Sequence, residues 1–562
     1  MSVTRAAGVS YATAGFGNTL THDLARGVPS AQGFFPAVHW EGVAREIDAH
    51  AYPREALCAI LLKSAANTSA PAVVLENIER LRKPGTYVVA TGQQAGLFGG
   101  PLYSLHKALT AIKLARTLEA RAAGAARFVP VFWVAGDDHD LGEIDHADFY
   151  QNDGTVRRIR AKFTPESTGR SSCDVTLDAE ALDELRAELL DALKLGAAPG
   201  APADPETLSR QADELLVAYR GRSMSDAFGL LLQQWLGALG LIVVQSCDVR
   251  PLGAELYRRE LADFDVTGRL IQEAAASLQR YGYKPGFSGK TRPGPHFFIV
   301  TENGHIRARL EPLDNGARFV EGSAAFEARG IAPKTYTRAE LDALIVREPG
   351  RFSASAALRP VLQQTIFPVV ATVLGPGEID YWAQLKKVHD QFGAVFPVVV
   401  PRASLTLLDE RAAQNLRRMG MEAGAPDLFL DAEALRKKLA HSGATSERIG
   451  AHTAAILSEF DAMARDVHAV DRGLKPLFDK TRERFVYELQ RIAEKTSASL
   501  SQHEGAGQAR AQQLSAFVRP KNAPQERVLC SAQLIARYPA LPAELLELID
   551  GEQREHVVAA LS

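Results

Sequence analysis

Apolar residues in this chain change their period repeatedly, and each change marks an element. Tyr87-Val88-Val89-Ala90 is a continuous apolar run, which predicts a short buried strand. A loop follows with glycines at 92, 96, 99 and 100, able to bend tightly and to come close to a ligand. Pro101 suits a helix start, and Leu102, Leu105, Leu109 and Ile112 then share one helical face. The unpaired N–H groups at such a helix start are a natural seat for an anion. Val129 to Ala135 is a second buried run, and a strand–helix–strand unit of this length implies parallel strands with a right-handed crossover. Its carboxyl end delivers Asp137, Asp138, His139 and Asp140. A helix bearing Phe228, Leu231, Leu232 and Trp235 leads to a strand at Leu241–Val244. Phe367–Leu374 and Phe396–Val400 are two further strands, either side of a second glycine loop, Gly375-Pro376-Gly377-Glu378, and its helix. The expected fold is α/β, a Rossmann-like doubly wound parallel sheet with a cleft at its carboxyl edge.

Between these strands the texture differs. Asn152-Asp153-Gly154 and Asn303-Gly304 each sit between β-rich runs and signal hairpins. The first precedes a charged helix and the link GAAPGAPADP. GFSGKT resembles the end of a phosphate-binding loop, but Lys284 stands where its first glycine belongs, so it is set aside. The chain therefore divides into core segments 1–147, 226–280 and 353–405, inserted connecting segments 148–225 and 281–352, a helical domain 406–520 and a helical cap 521–562. No strand is expected beyond about residue 406. Ile456, Phe460, Met463, Val467, Val470, Leu474 and Leu477 alternate in steps of four and three, a coiled-coil seam, and Pro476 marks a kink or a turn. Two arrangements fit the seam: a dimerisation arm, or a helical hairpin packed within one chain.

At 562 residues, with 46% hydrophobic and 23% charged positions, the chain has the composition of a globular protein of two or more domains. A net charge of −3 gives no electrostatic footprint for nucleic acid or an anionic membrane. No apolar run is long enough to span a bilayer, and MSVTRAAGVSYATAG lacks the apolar core of a signal peptide, so a cytoplasmic location is expected. The cysteines at 58, 173, 247 and 530 form no Cys-x-x-Cys pair, and Cys247, at a strand end, reads as a small buried residue rather than a nucleophile.

The cluster Asp137 to Asp140, with Glu143 and His146, offers a metal site, a polar substrate pocket or a solvated strand edge. It lacks His-Glu-x-x-His spacing, and the polar pocket is the reading taken, with no metal. His139 has the intrinsic pKa for proton transfer near neutrality. Gln93, Gln94, Tyr103, His106 and Lys107 add amide, hydroxyl and cationic groups suited to a polar, partly anionic small molecule.

Five stretches carry a wider likeness: TGQQAGLFGGPLYSLHKAL, the strand ending DDHD, RFSASAALRPVLQQTIFPVVATVLGPGEIDYWAQLKKVHDQFG, PVVVPRASLTLL and PQERVL. In this order they resemble the bacillithiol biosynthesis cysteine-adding enzymes, a cysteine ligase family, from about residue 30 to the carboxyl end. The resemblance implies a Rossmann-like core with two inserted segments and a coiled-coil domain supporting a homodimer. It also implies the reaction: L-cysteine joined to the glucosamine amine of glucosaminyl malate, the last step to bacillithiol, with ATP or another adenine nucleotide as activator. On that basis Asp138, His139 and Asp140 are assigned to catalysis on the amine side. Gln93, Gln94, Tyr103, Lys107, Glu378, Tyr381, Trp382 and Gln384 are assigned to substrate, and Gly96, Gly99, Gly100, Gly375 and Gly377 to the cofactor. The core is also similar in style to class I tRNA synthetases, but Phe98 and Pro101 stand where their His-x-Gly-His histidines would fall, and no Lys-Met-Ser-Lys-Ser loop is evident. Ser353-Ala354-Ser355-Ala356 departs from the family pattern, where an Asn is usual. Two other readings compete: a nucleotide-dependent enzyme acting on another amine or carboxylate, and a non-catalytic dimeric coiled-coil scaffold.

Overall fold

Five parallel strands organise the molecule: β1 (Thr86–Gln93), β2 (Arg127–Val134), β3 (Ile242–Gln245), β4 (Val369–Leu374) and β5 (Val398–Pro401), in the spatial order β5-β4-β1-β2-β3. The computed structural model describes residues 2–36, 39–151, 153–195, 204–287, 293–439 and 443–561. The chain runs outward from β1 to β3, then returns to the far side of β1 for β4 and β5. Direction reverses between β1 and β4, so a crevice opens at their carboxyl ends, where such sheets hold ligands. The middle strands are buried on both faces, which is why they read as unbroken apolar runs rather than alternating ones. Helix α1 (Leu102–Arg121) crosses from β1 to β2.

Two insertions interrupt this sheet. Between β2 and β3 lie the antiparallel pair His146–Tyr150 and Val156–Arg160 and the helices Ala179–Leu195 and Pro205–Leu216. Asn152 and residues 196–203 of the link lie outside the described residues, as do residues 288–291 of GFSGKT. Between β3 and β4 the sequence signalled one hairpin. The structure has a five-stranded antiparallel sheet, in the order Thr335–Thr337, Arg318–Gly322, Arg307–Leu313, Phe297–Val300, Phe352–Ala354.

The expectation of no strand beyond about residue 406 is overturned. His556–Leu561 is the middle strand of a third sheet, antiparallel to Val3–Val9 and parallel to Leu405–Leu408. Its sequence, HVVAAL, is short and lacks alternation, and periodicity cannot separate such a run from a buried helical turn.

The seam residues fall on α2 (Gly443–Val470) and α3 (Lys475–Val518), two antiparallel helices of one chain, with Leu474 in the turn between them. Pro476 lies in the first turn of α3, after a bend capped by the Asp471 side chain. The hairpin closes through Phe460, whose ring centroid is 5.6 Å from Phe478 and 5.1 Å from Phe485, and through Arg482 donating to Asp461 at 2.6 Å. Much of the seam stays open: Ile456, Met463, Val470 and Leu477 are 46%, 49%, 90% and 61% exposed. The last turns of α3 return to the body, where Phe517 packs 4.9 Å from the Tyr150 ring. Among the described residues no helix is long and apolar enough to cross a membrane.

Candidate active site

A cavity of about 920 Å³ opens at the switch between β1 and β4, with the antiparallel sheet of the second insertion closing its far side. Three core segments reach it: Gln93 and Gln94 after β1 with Tyr103 and Lys107 of α1, Asp137 to His139 after β2, and Gly375 to Glu378 with Tyr381 after β4. Strand register places them together, because each acidic or amide group sits within a few residues of a carboxyl strand end on neighbouring parallel strands.

Lys107, only 3% exposed, ties two of these segments. Its Nζ donates to Gly92 O at 2.8 Å and Gln93 Oε1 at 2.7 Å, and pairs with the Glu378 carboxylate. Burial lowers the Lys107 pKa, with Glu378 opposing the shift. Glu378 in turn accepts the Gly375 N–H at 2.8 Å, so the second glycine loop is folded around its own carboxylate. Gln93 Nε2 also reaches the Tyr103 hydroxyl, at 3.4 Å.

Across the cavity, Asp138 and His139 form a second unit. Asp138 accepts from Gln94 Nε2 at 2.8 Å and from the His139 and Asp140 backbone N–H groups at 2.7 and 3.2 Å. Arg307, from the second insertion, donates through Nη1 to His139 Nδ1 at 3.3 Å, with Asp138 Oδ1 3.9 Å from the same nitrogen. Burial alone would raise the Asp138 carboxyl, but Arg307, Gln94 and the Asp140 N–H outweigh it and hold the pKa below the ordinary value. For His139, burial and then the Arg307 charge both disfavour the imidazolium, and its pKa falls. A guanidinium cannot accept a hydrogen bond, so His139 Nδ1 is the acceptor and the neutral ring carries its proton on Nε2. The site thus holds an ionised carboxylate beside a neutral N–H donor.

Other assigned residues fall elsewhere. Asp140 is exposed, does not line the cavity, and accepts the Gly142 N–H at 3.2 Å. Trp382 and Gln384 are buried behind the wall, where Gln384 Oε1 accepts the Phe287 N–H at 2.8 Å. His106 is buried against Glu526, and His146 pairs with Asp145. Among the described residues no three His, Cys, Asp or Glu side chains gather as a metal-binding group.

Gly375 and Gly377 line the cavity, whereas Gly96, Gly99 and Gly100 do not. The first glycine loop does not fit a phosphate cradle. Its N–H groups at Leu97, Phe98 and Gly100 already donate to Ile144 O, the Tyr219 hydroxyl and Leu97 O, and the Leu102 N–H at the start of α1 donates to Leu529 O at 2.9 Å. Gly99 and Gly100 have φ of +81° and +65°, and a Cβ on Gly99 would collide with the Trp235 ring, so packing explains the glycine there.

Arginines are what sequence reasoning missed. Arg307, Arg359, Arg402 and Arg527 all line the cavity. Arg359 donates to the Tyr381 hydroxyl at 3.0 Å, and Arg402 is held by the buried Glu526 carboxylate at 2.7 and 2.8 Å. Arg359, Arg402 and Arg527 lay within the three later stretches quoted above, so those stretches marked three of them.

Two family models together match nearly the whole chain: the bacillithiol biosynthesis BshC N-terminal Rossmann-like domain over residues 6–403, and the BshC C-terminal coiled-coil domain over residues 405–561. The chain is 30% identical over 530 residues to a Solibacter usitatus protein named "Putative cysteine ligase BshC", covering 92% of each chain. Relatives of the same name from Koribacter versatilis and Bacillus cytotoxicus are 29% and 27% identical over 492 and 482 residues. These alignments cover 86% and 84% of this chain and 85% and 84% of the relatives.

Proposed function

This chain belongs to the bacillithiol biosynthesis BshC family, and from that premise we propose that it is a ligase joining L-cysteine to the amino group of glucosaminyl malate, the step completing bacillithiol. The observation that carries the reading is the pairing of ionised Asp138 with neutral His139 in a cavity whose other polar wall is cationic. Glucosaminyl malate brings an amine and carboxylates. Asp138 would orient the amine, and Arg359 and Arg527 suit the carboxylates. Amide formation needs a neutral amine attacking the cysteine carbonyl carbon. The ammonium of the resulting adduct is acidic and would pass its proton to Asp138, while the His139 Nε2–H would donate to the carbonyl oxygen as charge gathers there. Asp140 has no part in this scheme, since it lies outside the cavity.

An adenine nucleotide is the activator we assign, and when bound it supplies a phosphate leaving group for the cysteine carboxyl. Its phosphates would meet the Arg402 guanidinium beside Gly375 rather than the first glycine loop. The open stripe on α2 and α3 is assigned to pairing with a second copy. The test is to incubate purified protein with L-cysteine, glucosaminyl malate and ATP and follow product by mass spectrometry. Asp138→Asn and His139→Ala should each lower the rate by about 10²–10⁴-fold. Product formation at the wild-type rate in both variants overturns the site, and no product from the wild-type protein overturns the reaction.

A further inference from the structure

Two of the four cysteines meet behind the segment that carries Asp137, Asp138 and His139. Cys173 donates its backbone N–H to Gly136 O at 3.0 Å, and its Sγ lies against Gly136 Cα, where there is no room for a Cβ. Its neighbour Ser172 holds the same segment twice, from N to Asp138 O and from Oγ to Gly136 O, each at 2.9 Å. From the other side, Ser246 Oγ accepts the Asp137 N–H at 3.1 Å, and the next residue is Cys247. Cys247 lies close enough to Cys173 for the two thiols to interact, and Arg250 lies near both sulfurs while donating to Asp137 Oδ1 at 2.6 Å. Both thiols are free and half-buried. Cys58 and Cys530 differ. Each is buried and donates to a backbone carbonyl rather than facing another thiol.

We propose that Cys173 and Cys247 form a dithiol that a peroxide converts to a disulfide, displacing the Asp137–His139 segment and switching the cavity off. Peroxide transfers an oxygen to Cys173 Sγ, giving a sulfenic acid and one water. Cys247 Sγ then displaces the hydroxyl, which leaves with the Cys247 proton as a second water, and the S–S bond forms. Two electrons pass from the thiols to the peroxide. Closing that bond pulls together the 172–174 turn and the 246–249 turn, the two pieces that hold the segment by its backbone. The regulatory half of the proposal rests on the ligase reading; the bond itself does not.

The test is to expose the full chain, fully reduced, to hydrogen peroxide, and to digest it without reductant for mass spectrometry. A linked Cys173–Cys247 peptide, two hydrogen atoms lighter and separated by dithiothreitol, is expected, with ligation slowed by about tenfold or more. Cys247→Ser should instead accumulate a dimedone-trapped sulfenic acid at Cys173, and Cys58→Ser should keep the link. Absence of the linked peptide, or a linked protein that ligates at the reduced rate, overturns the proposal. A protein that forms the link but ligates nothing even when reduced refutes the proposed reaction and leaves the dithiol standing.

Discussion

Arg307 sets the charge of two neighbours at once. It is buried, its Cζ lies 3.7 Å from the Phe298 ring centroid, and its Nε and Nη2 donate to Ser353 Oγ and Ala354 O at 3.0 and 3.1 Å. The stretch that departs from the family pattern is therefore the one that seats this guanidinium. Burial and then Arg307 lower the His139 pKa, and Arg307 is the largest influence pulling Asp138 down. Arg307→Met removes a positive charge, so both pKa values rise and the acid limb of the ligation rate moves to higher pH. A pH–rate profile reads this directly, and Arg307→Lys should restore most of the wild-type limb. Asp138 and His139 were legible in the sequence because an apolar strand ends abruptly in charges. Arg307 was not, since Ile306-Arg307-Ala308-Arg309-Leu310 alternates like any half-exposed strand, and only the fold shows which face meets the cavity.

At the scale of elements, the strand–loop–helix unit at β1 and α1 was legible and its use was not. A glycine loop before a helix reads as an anion seat when only local sequence is in view. In the fold, Leu529 supplies the carbonyl that the first N–H of α1 needs, and Gly100 O receives the Ser531 N–H in return. No local pattern announces a cap arriving from so far along the chain. The coiled-coil seam shows the opposite case. Its period gave both helices, and its aromatic member Phe460 closes the hairpin while Ile456, Met463, Val470 and Leu477 face outward. Met463→Glu with Leu477→Glu puts charge on that outward stripe without touching Phe460. Sedimentation should show the wild-type chain as a dimer and this variant as a monomer with its helix content intact.

At the scale of the whole molecule, the C-terminal segment is part of the cavity wall through Arg527. Glu526 is buried with two cationic or ionisable partners, Arg402 and His106, the latter 420 residues away in sequence. Burial would raise the Glu526 carboxyl, but Arg402 and His106 outweigh it and hold its pKa far below the ordinary range. Glu526→Ala leaves a buried guanidinium uncompensated and should cost about 3–5 kcal/mol, read from the denaturation midpoint. Glu526→Gln, which keeps the shape, should cost less and weaken substrate binding through a misplaced Arg402. The third sheet adds a constraint of timing. Val3–Val9 takes its antiparallel neighbour from His556–Leu561, so that strand must wait, edge unpaired, until the residues from 556 onward have been translated. Synthesis and closure of that sheet are consequently separate events, and a nascent chain halted anywhere before residue 556 presents an open strand edge to chaperones.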